Sequence, residues 1–383
     1  MANNRIFYAC QAVALSEQDL SNPVLAHGVQ SVGITTNFNL EQAFELGQIQ
    51  IYENIEGLPD VEVTLEKVLD GYPLLYHLAS PDATTGNLVG RSKSRCSVAL
   101  GIYSDENDAV DGGAPVEVLM SGMYINSVSY TIPVDGNCTE SITLVGNNKE
   151  WNTTPSLLTN TVDDAIAKDS DGRGLDAPLA SGQGGIQRRE NVVMGECILP
   201  KSVIRSIDGA AFSAISETAG NNWDATNDTP IAHIQSVSIS TDFGREDILE
   251  LGRKTPYFRA PTFPIEVTCD LEVISISGDW VSAYETGNPE LAGAVNAGNN
   301  TPEETILFAL QDGTKFDLGS KNRLSSVTYG GGDAGGGNAT MTFSYTNFND
   351  LVVYHNEDPA QSAIGYSDAT FDTDADGQWV DQY

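Results

Sequence analysis

The residues best spaced to hold a metal lie near the C-terminus, where "DTDADG" sets Asp372, Asp374 and Asp376 ahead of Gly377. Alternate carboxylates followed by a turn-forming glycine make the first half of a calcium loop, in which they converge on one cation. Such a loop also needs a bidentate carboxylate at its twelfth position, and counted from Asp372 that position is Tyr383. The donor set is incomplete, and "DSDG" at Asp169 is shorter still. The four histidines are His27, His77, His233 and His355, and the five cysteines Cys10, Cys96, Cys138, Cys197 and Cys269 are widely spaced without a CxxC pair. That spacing suggests neither a zinc site nor a disulfide framework. No GxSxG, HExxH or P-loop occurs, and no carboxylate pair is marked out as general acid and base. The expectation is a protein without catalytic residues or cofactor.

Charge narrows the partners. Lys and Arg number 19 against 53 Asp and Glu, a net of −34. Such a field keeps a protein soluble and repels nucleic acid. It stands equally for a plainly solvated acidic surface, as in a protein adapted to saline water, or for a specific electrostatic use. The one RR pair, Arg188–Arg189, is followed at once by Glu190. The opening "MANNRIFYACQAVALSEQDL" has no long apolar region, and no run approaches the roughly 18 apolar residues of a membrane span. No secretory signal and no span are expected, so the protein should mature in a reducing cytoplasm. Its Asn-x-Ser/Thr matches, such as Asn137 and Asn152, are then accidental.

The elements carrying these residues come twice. "VQSVGITTNFNLEQAFELG" (Val29 to Gly47) returns as "IQSVSISTDFGREDILELG" (Ile234 to Gly252), with ten of nineteen positions identical. The alternation predicts a half-buried strand whose apolar face carries Val32, Ile34 and Phe38, and in the second copy Val237, Ile239 and Phe243. Leu46–Gly47 and Leu251–Gly252 close the two copies and complete the repeated core set. His27 and His233 stand just ahead of them, which suggests a structural or ancestral role. "VEVTLE" (Val61 to Glu66) answers "IEVTCD" (Ile265 to Asp270), "SVSY" at Ser127 answers "SVTY" at Ser326, and "SITLVGNN" at Ser141 answers "TMTFSYTN" at Thr340. Four anchors in one order, at offsets between 199 and 205, indicate an internal duplication.

"VDGN" at Val134 and "GGGDAGGG" at Gly330 occupy the same place in each copy and read as hairpin turns, because Gly, Asn and Asp tolerate positive φ. A phosphate-cradling loop would need a following helix and a different glycine spacing. "TPEETILFALQDG" (Thr301 to Gly313) opens like a capped helix, but its counterpart "RCSVALGIYSDE" (Arg95 to Glu106) alternates like a strand. A shared fold makes both strands. Short helices are expected instead at Tyr72–Ala79 and Pro289–Ala297. "LLTNTVDDAIAK", from Leu157, could form one more segment. The domains are then 1–150, a Gly/Asp/Ser-rich linker at 151–190, 191–350 with its opening strand from Val192, and an acidic extension at 351–383.

The motifs "sVsIstdF", "EVT.dlEV" and "sVsYt..vDGn.tEsitl.Gn", carried by Val29–Gly47, Val61–Glu66 and Ser127–Asn148 and again by Ile234–Gly252, Ile265–Asp270 and Ser326–Asn347, resemble the major tail tube proteins of long-tailed bacteriophages. The linker and acidic extension fall outside the resemblance. It implies a mainly β chain of two β-sandwich or barrel-like tail-tube domains, each with about one short α-helix. It further implies a virion protein, assembled in the host cytoplasm, that pairs sheets laterally into rings. The rings stack into a tube that conducts DNA without sequence-specific binding. A duplicated chain resembles tandem members in which three chains, in place of six, make a pseudo-hexameric ring, with a hexamer of chains as the alternative. Implied partners are sheath or tape measure, baseplate and terminator proteins. An anionic lumen would let DNA slide. Other uses of the fold, as baseplate hub or tail completion protein, stand beside this reading, with a two-sandwich adhesin or decoration protein and a β-sandwich hydrolase behind it. The copies differ at Asn39–Leu40 against Gly244–Arg245, where the ring is expected to distinguish alternating positions.

Overall fold

The doubled stretch forms the first strand of each of two matching four-stranded sheets. A computed structural model describes residues 6–103, 116–158, 185–200, 233–274, 303–331 and 337–355, a few single positions excepted, and two short strands at 223–224 and 229–230. In the first unit these are β1 (Gln11–Glu17), β2 (Val24–Leu25), β3 (Val29–Asn37), β4 (Leu40–Phe44), β5 (Ile51–Glu56), β6 (Asp60–Val68), α1 (Leu75–Leu78), α2 (Leu88–Arg91), β7 (Cys96–Ile102), β8 (Val116–Pro133), β9 (Thr139–Gly146) and β10 (Glu150–Asn152). Then come β11 (Trp223–Asp224), β12 (Thr229–Pro230), β13 (Ile234–Asp242), β14 (Glu246–Ile248), β15 (Phe258–Ala260), β16 (Glu266–Ile274), β17 (Leu307–Ala309), β18 (Lys315–Asp317), β19 (Arg323–Gly330), β20 (Thr340–Phe348) and β21 (Val352–Tyr354). The fold is mainly β and antiparallel.

Period-two burial explains the strands. Along β9 and β20 every second residue is buried, so one face of each is apolar and the other hydroxyl-bearing. The first sheet runs β3-β6-β9-β8 and the second β13-β16-β20-β19. Their registers match once β16 and β20 are each read two residues further along than the sequence anchors put them. Ile34 faces Val63 as Ile239 faces Cys269, where the anchors set Val63 against Val267, and Ile125 faces Leu144 as Leu324 faces Tyr345. The irregularities recur too, at Val29/Ser31 and Ile234/Ser236, and at Ile125/Ser127 and Leu324/Ser326. β8 then pairs with β13, joining the two sheets edge to edge.

A second layer crosses the first. The early half of β8 leaves β9 to pair with β7 and β10, and Gly122, at φ 67°, sits at the crossing. In the second unit this strand is cut in two. β18 pairs with β17 and β21, β19 pairs with β20, and Gly319 lies between them at φ 65°. A Cβ on Gly319 would run into the Asp350 carboxylate. One apolar core spans both units, with Tyr130 and Phe316 ring centroids 4.6 Å apart.

α1 falls within the expected Tyr72–Ala79. In the stretch expected as a strand from Thr301 to Gly313, the residues Leu307–Ala309 form strand β17, with no helix among its described residues. The sheet prevails because Leu307, Phe308 and Ala309 are all buried between layers. The segment from Val192 lies beside β17, bridging Leu310 and Leu307, as β1 lies beside β7. Beyond Asn349 the chain contributes β21, with Leu351 and Val353 buried, before the acidic stretch. The helix expected at Pro289–Ala297, the segment past Leu158 and the residues from 356 onward lie outside the described residues.

Candidate functional site: an assembly surface

The junction between the units shows how this fold joins to itself. Seven consecutive pairs run from Ser236–Pro133 to Asp242–Ser127, with Ile239 opposite Tyr130 on the buried face. Past the end of β13, the Phe243 amide donates to Asn126 O at 2.8 Å. Gly244, at φ 52°, turns the chain into the β14–β15 hairpin, and Arg245 follows it. Arg245 Nε donates to Ile125 O at 2.7 Å, and its guanidinium lies 5.1 Å from the Tyr124 ring centre and 5.3 Å from that of Phe243. Phe258 meets Tyr124 edge-on at 5.8 Å. Arg259 Nη2 reaches Asp60 Oδ1 at 2.7 Å. Burial pulls the Arg245 guanidinium down to about 10, still charged at neutral pH.

The first unit has the same strand, turn and hairpin, but among the described residues no strand lies along the matching edge. Among the described residues β3 pairs with β6 only and β19 with β20 only. β3 corresponds to β13, and β19 to the later half of β8. The two open edges are therefore the repeat equivalents of the strands joined inside the chain. Their exposure follows: Phe243 is 0% exposed, whereas Phe38 is 63% exposed and Leu40 also lies open. Asn39 adopts φ 45°, so the turn is kept although glycine is not.

This corrects part of the expected core. Val237, Ile239 and Phe243 are buried, Val32 and Ile34 are half-buried on the open edge strand, and Phe38 is exposed. Leu46 and Leu251 are wholly exposed at hairpin tips, beside Gly47 at φ 92° and Gly252 at φ 88°. The left-handed turn at Asn39 or Gly244 re-aims the chain, so the alternation that turns Ile34 inward does not carry on to Leu46. Phe44 and Ile49 near the first tip, and Leu249 near the second, are exposed as well.

The face of the joined sheets away from the core is hydroxyl-rich and acidic. Glu62, Glu66, Asp242, Glu266, Asp270 and Glu272 lie on it, interleaved with Ser and Thr such as Thr35, Ser129, Ser240 and Thr342. Arg323, at the open β19 end opposite Thr346, is the one Lys or Arg that these registers put there among the described residues.

His27, His77, His355 and the buried charges serve the frame, whereas His233 is exposed. Lys67, wholly buried, donates to Asp70 Oδ1 and His27 O, each at 2.7 Å, and His27 Nδ1 is 2.9 Å from Asp70 Oδ2. Burial would raise the Asp70 carboxyl, but the His27 hydrogen bond and the Lys67 charge outweigh it and hold it low. Glu140 accepts the Leu75 and Tyr76 amides at 2.7 and 3.0 Å and so caps α1 from a strand; its burial raises its own pKa. His77 Nε2 lies 3.0 Å from Val353 O, fastening α1 to the second unit, and His355 packs 6.3 Å from His77. Among the described residues no group of three His, Cys, Asp or Glu could hold a metal. Asp372, Asp374 and Asp376 lie outside them.

No family model and no curated protein matches the sequence. Solved structures that resemble the fold include a chain of the anti-feeding prophage baseplate, at 11% identity over 40% of this chain and 97% of the other, with a TM-score of 0.31. A chain of the anti-feeding prophage tube-terminating cap is 14% identical over 40% and 93%, at 0.30. A chain of a native gene transfer agent virion is 13% identical over 34% and 92%, at 0.23.

Proposed function

We propose that this chain is a tail tube subunit of a bacteriophage-type particle, a structural virion protein and not an enzyme. Three copies close into a pseudo-hexameric ring, and rings stack into a conduit for DNA. The observation that carries this reading is the β8–β13 junction, together with the two open edges that repeat its halves. A head-to-tail contact of one surface with a different one closes a ring when its rotation allows. Six equivalent junctions, three within chains and three between them, would leave no open edge.

Transferring the internal register sets Ile34 of one copy opposite Tyr329 of the next, and Thr35 opposite Thr328. The acidic face then lines the lumen, where DNA with one charge per roughly 1.7 Å of axis meets carboxylates and hydroxyls and does not adhere. The projecting hairpins, with Leu46 and Leu251 at their tips, suit contact with the neighbouring ring. Sheath or tape measure, baseplate and terminator proteins are the further partners this role requires, with assembly in the host cytoplasm.

Negative-stain imaging of the purified protein should show hollow rings of pseudo-sixfold symmetry, stacked at high concentration. A T35C/T328C variant treated with a short bis-maleimide should give crosslinks ending at the trimer. A stable monomer that neither forms rings nor crosslinks would refute the reading. Rings that never stack would assign the chain to a baseplate or terminating position.

A further inference from the structure

Building on that ring reading, we propose that the junction between chains is specified by an ion pair, Arg323 of one copy with Glu53 of the next, which replaces the aromatic and cation contacts of the junction within the chain. Inside the chain, Tyr124 is the centre of the contact. Phe258 meets its edge at 5.8 Å, and Arg245 and Arg95 lie 5.1 and 5.8 Å from its ring centre.

Matching strand registers map each of these residues onto the other copy of the repeat. Tyr124 corresponds to Arg323, because Ile125/Ser127 and Leu324/Ser326 mark the same irregularity. Phe258 corresponds to Glu53 and Arg245 to Leu40, because Glu41–Ile55 and Glu246–Ala260 are equivalent pairs. Arg95 corresponds to Glu303, because Cys96 pairs with Met123 as Glu304 pairs with Asn322.

Every member of the cluster has thus changed kind, and the changes agree with one another. The aromatic ring becomes a cation, its aromatic partner becomes a carboxylate, the cation over the ring becomes a leucine, and the flanking cation becomes a second carboxylate. Half of the new set is already formed. Arg323 Nη2 lies 2.9 Å from Glu303 Oε1, and both side chains remain more than half or half exposed. A guanidinium has five N–H donors in a planar fork, so it can serve a second carboxylate beside the first. Glu53 is exposed on β5, at the position from which Phe258 touches Tyr124. The two junctions are therefore not interchangeable. If a β13 hairpin docked on the open β19 edge, Arg245 would face Arg323, and like charges placed together suppress the wrong pairing.

The test measures ring formation by sedimentation across protein concentration for R323E, R323Q, E53R and the R323E/E53R double variant. Thermal midpoints of the dilute proteins serve as the control for folding. Each single charge reversal should raise the concentration for half-assembly by about tenfold or more, the range for a mispaired interfacial charge. R323Q should be intermediate, and the double variant should return to within about threefold of the parent. Assembly of the parent should also weaken toward about 1 M salt, where the Debye length is near 3 Å. Single variants that assemble like the parent, or a double variant no better than the singles, would overturn the ion pair while the ring reading stands. A parent protein that forms no rings fails the ring reading itself.

Discussion

Phe38 and Phe243 occupy one position of the repeat in opposite states, so removing each ring separates folding from assembly. Phe243 is wholly buried, with Arg245 over its ring and its amide bound to β8. Truncation to alanine should cost the dilute subunit about 3–5 kcal/mol, the usual range for a core phenylalanine. Phe38 is 63% exposed, and F38A should change subunit stability by no more than about 0.5 kcal/mol. In the proposed ring Phe38 would become buried as Phe243 is, which would contribute about 1.5–3 kcal/mol to each inter-chain junction. Its loss should weaken each junction by about 10- to 150-fold. Urea unfolding of dilute protein reads the first effect, and sedimentation across concentration reads the second. An F38A variant that assembles at the parent's concentration would refute the equivalence of the two edges. So would one that unfolds as early as F243A.

Other outcomes follow from the same geometry. L46D with L251D should leave subunit stability within about 0.5 kcal/mol and rings intact, but abolish stacking into tubes in electron micrographs. E62K with E272K puts cations on the face assigned to the lumen, so assembled tubes should retain short duplex DNA in a salt-sensitive filter assay where parent tubes do not. His355 is buried neutral, and burial, then Lys67, pulls its pKa from 6.5 to about 4, with Asp70 acting in opposition. The unfolded chain then binds the proton more tightly, so stability should fall as pH drops from about 6.5 toward 4, by up to about 1.4 kcal/mol per pH unit. H355F should flatten that slope in thermal melts, and an unchanged slope would exclude His355 as its source.

Much of the fold was legible because period-two burial is written directly into β9, β16 and β20, and because a repeat found twice confirms itself. The alternating copy of the Arg95–Glu106 segment outweighed the helix-like start at Thr301, and β17 followed. The assembly surface was legible only in outline. β3 and β13 have nearly the same residues, yet one is an open edge and the other is central. That difference depends on which strand lies alongside, and a strand's own residues do not encode it. Phe38 is exposed for that reason, since among the described residues β3 lacks the neighbour that covers Phe243. Leu46 and Leu251 are exposed because sequence alternation assumes a straight strand, and the positive-φ turns at Asn39 and Gly244 reset it. The Leu40/Arg245 difference did mark the junction, but its partner Tyr124 sits in an unremarkable apolar run. The acidic face became visible only once register fixed which side of the sheets those residues share.

β8 bears one more consequence. At 18 residues it extends about 60 Å and hydrogen-bonds to β7, β9, β10 and β13, which belong to both layers and both units. A strand shared in this way cannot melt on one side while its other partners persist, so the two units should unfold in one cooperative step. In the second unit the corresponding strand is interrupted at Gly319, and β17, β18 and β21 hang on a separate short segment. Hydrogen exchange should find the slowest amides of the chain along β8, and earlier, independent opening in the small sheet beyond that break.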